Sequence, residues 1–205
     1  EGYVRPASSL GPSVTLEVVE RHKAGLIGLS GCMGGVVAQR ILEHGEDAGR
    51  AELERLRDCF ETGSLYVELQ DHGLVEQPVL NGILLRAAGA LSLPVVGTND
   101  VHFGPREDGE SQLFLSCIAK NHVFAEEHEA HHGSYEMFFK AADEMEHVFR
   151  DQPEAIRATL EIAERCQGVK LKLGVPQLPR FPVPEGYDTA SFFRKVARDG
   201  LERRF

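Results

Sequence analysis

The chain has 205 residues, of which 42% are hydrophobic and 26% charged, and this composition is typical of a folded globular protein. Its 32 acidic residues outnumber its 22 basic residues, and the net charge of −10 argues against general electrostatic attraction to a nucleic-acid backbone. The apolar stretches of the sequence are too short for a membrane-spanning helix, which needs roughly 20 apolar residues.

The charge is distributed unevenly along the sequence. From Val169 onward eight basic residues stand against four acidic ones, so this tail carries +4 and the remainder of the chain −14. The sequence begins with Glu1 rather than methionine and continues directly into Tyr3 and Val4. We therefore expect a piece of a longer protein, with one domain over residues 1–168 and a different region over residues 169–205.

The first half of the sequence alternates short apolar runs with stretches of helical periodicity. The apolar runs predict strands over residues 25–30, 64–69 and 93–98. The stretches between them predict helices over residues 36–43, 47–60 and 75–91. This alternation indicates parallel βαβ units and therefore an α/β fold. In the third helix the spacing predicts an apolar face made of Val79, Ile83, Leu84 and Ala87.

Beyond residue 104 the pattern predicts helices over residues 109–119, 142–149 and 153–166. The histidine-rich residues 122–132 fit either a metal-binding tract or a solvated loop. Residues 169–173 alternate like an edge strand, and the four prolines within residues 176–184 indicate a stiff connector. A basic amphipathic helix is predicted from Thr189 to the end, with Asp188 or Thr189 as its N-cap.

Candidate metal ligands follow the third predicted strand. Asp100 and His102 are two residues apart, so on an extended chain the carboxylate and the imidazole project to the same side. In parallel α/β folds, ligands and metals bind at the carboxyl ends of the strands, where this pair lies. A surface aspartate beside a partly buried histidine is the alternative interpretation.

The other two predicted strands also end near candidate ligands, Cys32 after the first and His72 after the second. Cys32 could instead be a buried apolar side chain. The glycines beside it could allow the backbone to approach a ligand closely, or they could form a tight turn. The other cysteines fall in helical patterns and are predicted to be packing residues; they are Cys59, Cys117 and Cys166. The sequence lacks the P-loop, dinucleotide-binding, nucleophile-elbow and zincin motifs.

Four segments together resemble a known family. They are the run from Leu16 to Gly35 with its Leu-Ser-Gly-Cys, the run Val67-Glu-Leu-Gln-Asp-His-Gly73, the run Pro94-Val-Val-Gly-Thr-Asn-Asp-Val-His102, and residues 156–166. Their order resembles the PHP (polymerase and histidinol phosphatase) domain of the alpha subunits of bacterial DNA polymerase III. Residues 178–186 and 200–204 resemble the passage from that domain into the polymerase core.

The resemblance implies that residues 1–168 are the C-terminal part of a PHP domain, and residues 169–205 a connector with the start of the polymerase region. The family domain is a distorted (β/α)₇ barrel with metals at the strand ends. Cys32, Asp100 and His102 correspond to three of its ligands, and His72 to a position near the site. The implied metals are zinc or manganese at this site, and magnesium for polymerisation. The family's opening His-x-His and its polymerase carboxylates are not in this sequence.

The resemblance implies a cytoplasmic bacterial replicative polymerase as the parent, acting on DNA and deoxynucleoside triphosphates with a sliding clamp and a proofreading subunit. The PHP domain would act as a metal-dependent 3′-5′ exonuclease, and the fragment alone would be inactive. The alternatives are a non-catalytic scaffold that docks the proofreading subunit, and a free-standing PHP phosphatase.

Five basic residues of the last helix are expected to face DNA or the polymerase core, unless this face is solvated and packs through Phe192 and Phe193; they are Arg194, Lys195, Arg198, Arg203 and Arg204.

Overall fold

A computed structural model describes residues 13–125, 136–170, 173–176 and 181–205. In chain order the elements of the first part are α1 (Leu16–Arg21), β1 (Gly28–Leu29), α2 (Val36–His44), α3 (Glu46–Asp58), β2 (Leu65–Gln70), α4 (Gln77–Leu91) and β3 (Val95–Thr98). They are followed by a 3₁₀ turn (Arg106–Asp108), α5 (Gly109–Lys120), α6 (Ala142–Val148), α7 (Pro153–Cys166) and α8 (Thr189–Arg204). Contacts divide the chain into two units, Glu1–Gln167 and Gly168–Phe205.

The three strands form a parallel sheet in the order β1-β2-β3, which confirms the predicted α/β fold. Gly28 pairs with Leu65, and the register of the second pair runs from Val67 opposite Val95 to Gln70 opposite Thr98. Because all three strands run in the same direction, their carboxyl ends lie at one edge of the sheet. This edge is where the predicted ligands follow the strands.

Most of the core lies on one face of the sheet. Leu65, Val67 and Leu69 of β2 project to this face at every second position and pack against helices α2, α3 and α4. The helices contribute buried side chains that include Ile41 and Leu53. On the opposite face, Tyr66 and Val96 pack against Ala158 of α7. A strand with apolar side chains on both faces is typical of a parallel sheet that is covered on both sides.

Gly97 of β3 lies directly against the ring of Phe149 because residue 97 has no side chain. A Cβ built on Gly97 would lie 2.9 Å from a ring carbon of Phe149, a separation that real Cβ atoms do not show. Phe149 itself is buried in the main core. The glycine therefore allows the phenylalanine at the end of α6 to pack flat against the strand.

On α4, Leu84 and Ala87 are buried as predicted, and the partly buried Ile83 packs against the core. Two other residues depart from the packing predictions. Val79 was expected on the buried face of α4, but its side chain is 68% exposed, and the next residue, Leu80, is buried instead. Apolar residues occupy nearly every side of this helix, so spacing alone does not determine which face meets the sheet. Cys166 was expected to pack and is exposed at the end of α7, whereas Cys117 is buried as predicted.

In the second unit, α8 begins where the sequence predicts it. The carboxylate of Asp188 accepts a hydrogen bond of 2.7 Å from the Ser191 N–H, and the Ser191 hydroxyl accepts one of 3.0 Å from the Asp188 N–H, so Asp188 is the N-cap. Phe192 stacks on Phe181, while Phe193 is 73% exposed. The predicted edge strand over 169–173 and connector over 176–184 lie partly outside the described residues, as does the histidine-rich stretch.

Candidate functional site

The segments that follow the three strands lie next to one another at the carboxyl edge of the sheet. Cys32 follows β1, His72 follows β2 and Asp100 follows β3. Since β2 lies between the other two strands, the segment with His72 is central. The edge therefore presents a thiol, an imidazole and a carboxylate on successive βα connections, as the sequence predicts.

The connection after β1 is a tight turn that leads into α2. Gly31 has a φ of 93°, in the left-handed region that favours glycine, and the Gly35 N–H donates a 2.8 Å hydrogen bond to the Cys32 carbonyl. A Cβ on Gly35 would lie 2.9 Å from that carbonyl oxygen. These glycines thus serve the turn, and they leave the Cys32 side chain exposed.

Asp100 and His102 lie side by side after β3. His102 Nδ1 is 2.7 Å from the Asp100 carbonyl oxygen and 3.8 Å from the Asp100 Oδ1. A carbonyl oxygen can only accept a hydrogen bond, so Nδ1 carries the proton, and the neutral ring keeps a lone pair on Nε2. A ring nitrogen held by a backbone carbonyl while the other is available is the arrangement typical of metal-binding histidines.

His72 is buried beneath this pair, with 2% of its surface exposed. The Asp100 N–H donates a hydrogen bond of 3.2 Å to His72 Nε2. On the other side of the ring, Nδ1 lies 3.1 Å from Gln77 Nε2. The Gln77 Oε1 in turn accepts hydrogen bonds from the backbone N–H groups of His72 and Leu74 at 2.7 and 3.2 Å. Gln77 therefore connects the start of α4 to the ring that contacts Asp100.

The surroundings of His72 favour a neutral ring. Nε2 accepts the hydrogen bond of the Asp100 N–H, which a ring protonated on both nitrogens could not do. Burial lowers the pKa of His72, and the positive charge of Lys140 lowers it further, while the carboxylates of Asp100 and Asp71 act in the opposite direction.

This environment predicts that part of the stability depends on the protonation of His72. Its folded-state pKa lies below its unfolded value, so the unfolded chain takes up more protons between these two pH values. The stabilisation is complete above the unfolded pKa of about 6.5 and is lost as the pH falls from there toward the folded pKa. Urea unfolding at pH 7.5 and 5.5 should show a smaller loss of stability in His72→Gln than in the wild type.

His44→Gln, at an exposed histidine on α2, is the matched control for the loss of one histidine. The prediction fails if the wild type and His72→Gln lose equal free energy of unfolding between the two pH values.

A second wall of the site comes from residues 136–140, which are distant in sequence. The His102 N–H donates to the Met137 carbonyl at 2.8 Å, and the Asn99 side-chain amide donates to the Phe138 carbonyl. Phe138 also forms a parallel bridge with Phe103. The segment with Asp100 and His102 is therefore held along its length by backbone pairing that no local pattern in the sequence indicates.

Lys140, the last residue of the segment 136–140, carries a buried positive charge. Its side chain is 3% exposed, and its Nζ donates to Asn99 Oδ1 at 3.2 Å and to the Glu136 carbonyl. The Glu136 carboxylate is 3.4 Å away and also pairs with Arg106. Burial alone would raise the pKa of Glu136, but the hydrogen bond from Arg106 and the two positive charges outweigh it and lower that pKa. The buried ammonium is thus neutralised and hydrogen-bonded, as burial of a charge requires.

Polar side chains also continue along β2 and β3 toward the site. Thr98 Oγ1 donates to the Glu68 carboxylate, and Gln70 Nε2 donates to the same Glu68 oxygen at 3.2 Å. Ser30 Oγ accepts from the Glu68 N–H at 2.9 Å, which links the network to β1. Sequence reasoning did not single out Glu68. Its position between Val67 and Leu69 in an otherwise buried strand is the signal that could have identified it.

Two of the predicted metal ligands lie side by side in the structure. Asp100 and His102 present carboxylate and imidazole groups together, and Cys32 follows the first strand at the same edge of the sheet. Carboxylate, imidazole and thiolate groups form a donor set that suits zinc. Within residues 13–125, 136–170, 173–176 and 181–205, however, no group of three or more His, Cys, Asp or Glu side chains could hold a metal ion. These residues do not form a complete site by themselves.

Comparison with known proteins agrees with the α/β fold. Residues 2–72 match the PHP domain, a stretch that includes Cys32 and His72. Asp100 and His102 lie beyond the matched residues. Residues 2–72 are therefore similar to a PHP domain, as the resemblance implied.

The similarity to individual proteins extends over nearly the whole chain. It is 33% identical over 202 residues to the DNA polymerase III subunit alpha of Thermus aquaticus and 29% identical over 195 residues to that of Borreliella burgdorferi, in each case over 95% of this chain. It is 33% identical over 196 residues to the error-prone DNA polymerase of Symbiobacterium thermophilum. The chain is homologous to the PHP region of bacterial DNA polymerase III alpha subunits, and this confirms the predicted resemblance. It spans 16 to 18% of the length of these three relatives.

Proposed function

We propose that the chain is part of a bacterial DNA polymerase of the alpha-subunit type, which synthesises DNA on a template. The observation that carries this proposal is the similarity to polymerase subunits over 95% of the chain. It supports a polymerase over a free-standing phosphatase, because the similarity includes almost all of the sequence. The relatives include an error-prone polymerase as well as alpha subunits, so the similarity is compatible with either kind of polymerase. No described helix is long and apolar enough to cross a membrane.

We infer further that the parallel sheet is part of a (β/α)₇ barrel and that Cys32, Asp100 and His102 are metal ligands. The supporting observation is that His102 donates through Nδ1 to the Asp100 carbonyl, beside the Asp100 carboxylate. These three residues would need the family's further ligands, which this sequence does not contain, to complete the centre. Bound zinc or manganese would supply the Lewis-acid chemistry of a 3′-5′ exonuclease.

The experiment that tests this function uses the full-length protein. We expect primer extension with magnesium and deoxynucleoside triphosphates, and elemental analysis after gel filtration should find zinc or manganese bound. Cys32→Ser should lower the bound metal, whereas Cys166→Ser, at an exposed cysteine, is the matched control. A protein that extends primers but carries no metal would retain the polymerase proposal and overturn the exonuclease proposal.

A scaffold is the alternative function that we propose: the domain would stabilise the polymerase and dock a separate proofreading subunit. A metal-free full-length protein that binds a proofreading exonuclease, and loses that binding when residues 13–125 are deleted, would support the scaffold over the nuclease.

The basic residues of α8 are proposed to face DNA or the polymerase core. All five side chains are exposed; they are Arg194, Lys195, Arg198, Arg203 and Arg204. Lys195 pairs with Asp199 at 2.5 Å, which leaves the other four as the main source of positive charge on this helix. If they contact phosphates, replacing the five residues with glutamine in the full-length protein should weaken DNA binding and flatten its salt dependence. Unchanged salt dependence of DNA binding would exclude a contact between these residues and DNA.

A further inference from the structure

We propose that His72 and Lys140 are positioning residues that hold the Asp100–His102 segment from two sides, and that His72 is not itself a metal ligand. This inference rests on the proposed metal-binding function of Asp100 and His102. It assigns roles to the buried histidine of the second strand end and to a lysine that the sequence pattern does not single out.

Both nitrogens of the His72 ring are occupied by contacts within the protein. A metal ligand needs a ring nitrogen whose lone pair points into the site. His72 Nε2 accepts the Asp100 N–H at 3.2 Å, and Nδ1 lies 3.1 Å from Gln77 Nε2. Both nitrogens are therefore engaged within the protein, and only 2% of the residue is exposed. His102 differs, because one of its nitrogens is held by a carbonyl and its side chain is 46% exposed.

Lys140 holds the segment from the other side. Its ammonium contacts Asn99 Oδ1 at 3.2 Å, the Glu136 carbonyl and the Glu136 carboxylate at 3.4 Å. It also lies 4.6 Å from the centre of the Phe138 ring, a distance suited to a cation–π contact. Its contacts thus join Asn99, directly before Asp100, to the wall formed by residues 136–140.

The two contacts act on adjacent residues of one segment. His72 is 28 residues from Asp100 in sequence, and Lys140 is 41 residues from Asn99. One holds the backbone of Asp100 against β2, and the other holds the side chain of Asn99 against the second wall. Groups that fix the orientation of metal ligands typically change metal affinity about 10- to 100-fold when they are removed. We expect losses of this size for either residue.

The test begins with hydrogen exchange, because this readout needs no metal. In the full-length protein, the Asp100 amide should exchange about 10-fold faster or more in His72→Leu, which removes the acceptor. His72→Gln offers an oxygen near the position of Nε2 and should restore most of the protection. Lys140→Met should accelerate exchange across residues 99–103, and Lys140→Arg should do so less.

Tyr66→Phe is the matched control for the loss of a buried hydrogen bond on β2. The Tyr66 hydroxyl donates to Glu161 at 2.7 Å and contacts Arg165, on the side of the sheet covered by α7. The Tyr66→Phe change should destabilise the protein without accelerating hydrogen exchange at Asp100. Circular dichroism shows whether each variant is folded, and the glutamine and arginine variants carry the test if the larger changes prevent folding.

Metal affinity, measured by competition with a chelator for added zinc, is the second readout. The dissociation constant should rise about 10- to 100-fold in His72→Leu and return to within about 3-fold of the wild type in His72→Gln. Loss of metal in both variants would make His72 a ligand and overturn the proposal, as would unchanged Asp100 exchange in His72→Leu. If the wild type binds no zinc, the proposed function fails, and hydrogen exchange alone decides whether His72 and Lys140 hold the segment.

Discussion

If Asp100 and His102 are the metal ligands proposed above, replacing Asp100 with asparagine and His102 with glutamine together should abolish metal binding by the full-length protein and lower the proposed nuclease activity about 100-fold or more. Both changes keep the size of the side chain, but they remove a carboxylate and an imidazole that lie within 3.8 Å of each other. Primer extension should persist, because the proposed polymerase carboxylates lie elsewhere in the protein. Elemental analysis and degradation of a labelled primer measure the two quantities.

The matched control makes the same chemical changes at exposed positions. Asp47 and His44 lie at the junction of α2 and α3, with side chains that are 89% and 55% exposed. Asp47→Asn with His44→Gln should leave metal content and nuclease activity unchanged. Nuclease activity that survives the Asp100 and His102 changes would show that this pair is not part of the active centre.

Truncating Leu53 to alanine should destabilise the first unit by about 2 to 5 kcal/mol. Its side chain is fully buried, with 0% exposed, in the core formed by β2 with α2, α3 and α4. The change removes apolar surface from this core and leaves a cavity that the packed helices can fill only in part. Urea unfolding followed by circular dichroism measures the loss.

Leu42→Ala on α2 is the matched control, since the same atoms are removed from a side chain that is 50% exposed. We expect it to change the free energy of unfolding by less than about 0.5 kcal/mol. Equal effects at the two positions would contradict the packing described for α3.

Sequence pattern predicted the elements well where local signals coincide. The helix expected over 153–166 is α7, with a proline in its first turn and a regular apolar face. The strand expected over 64–69 is β2, displaced by one residue. The first strand is shorter than predicted, with only Gly28 and Leu29 paired. Strand bounds depend on the partner strand as well as on local composition, so they are less predictable than helix periodicity.

The position of the candidate ligands at one edge of the sheet was predictable from the sequence, but the contacts that hold them were not. Cys32, His72 and Asp100 were identified because they follow apolar runs, and in a parallel sheet such positions share an edge. The roles within the site depend on long-range contacts. His72 appeared near the candidate ligands in sequence, but its ring contacts the Asp100 backbone and Gln77, and both contacts become visible only after folding.

For this protein, the alternation of apolar runs and helical periodicity was enough to establish an α/β fold with a parallel sheet and ligand-type side chains at the strand ends. These features follow from residues close together in the chain. Only the folded structure shows that Leu80 rather than Val79 is buried on α4, that residues 136–140 pair with the Asp100 segment, and that Lys140 is buried. Each depends on contacts between residues that lie tens of residues apart in sequence, and no local pattern indicates which of them will be in contact.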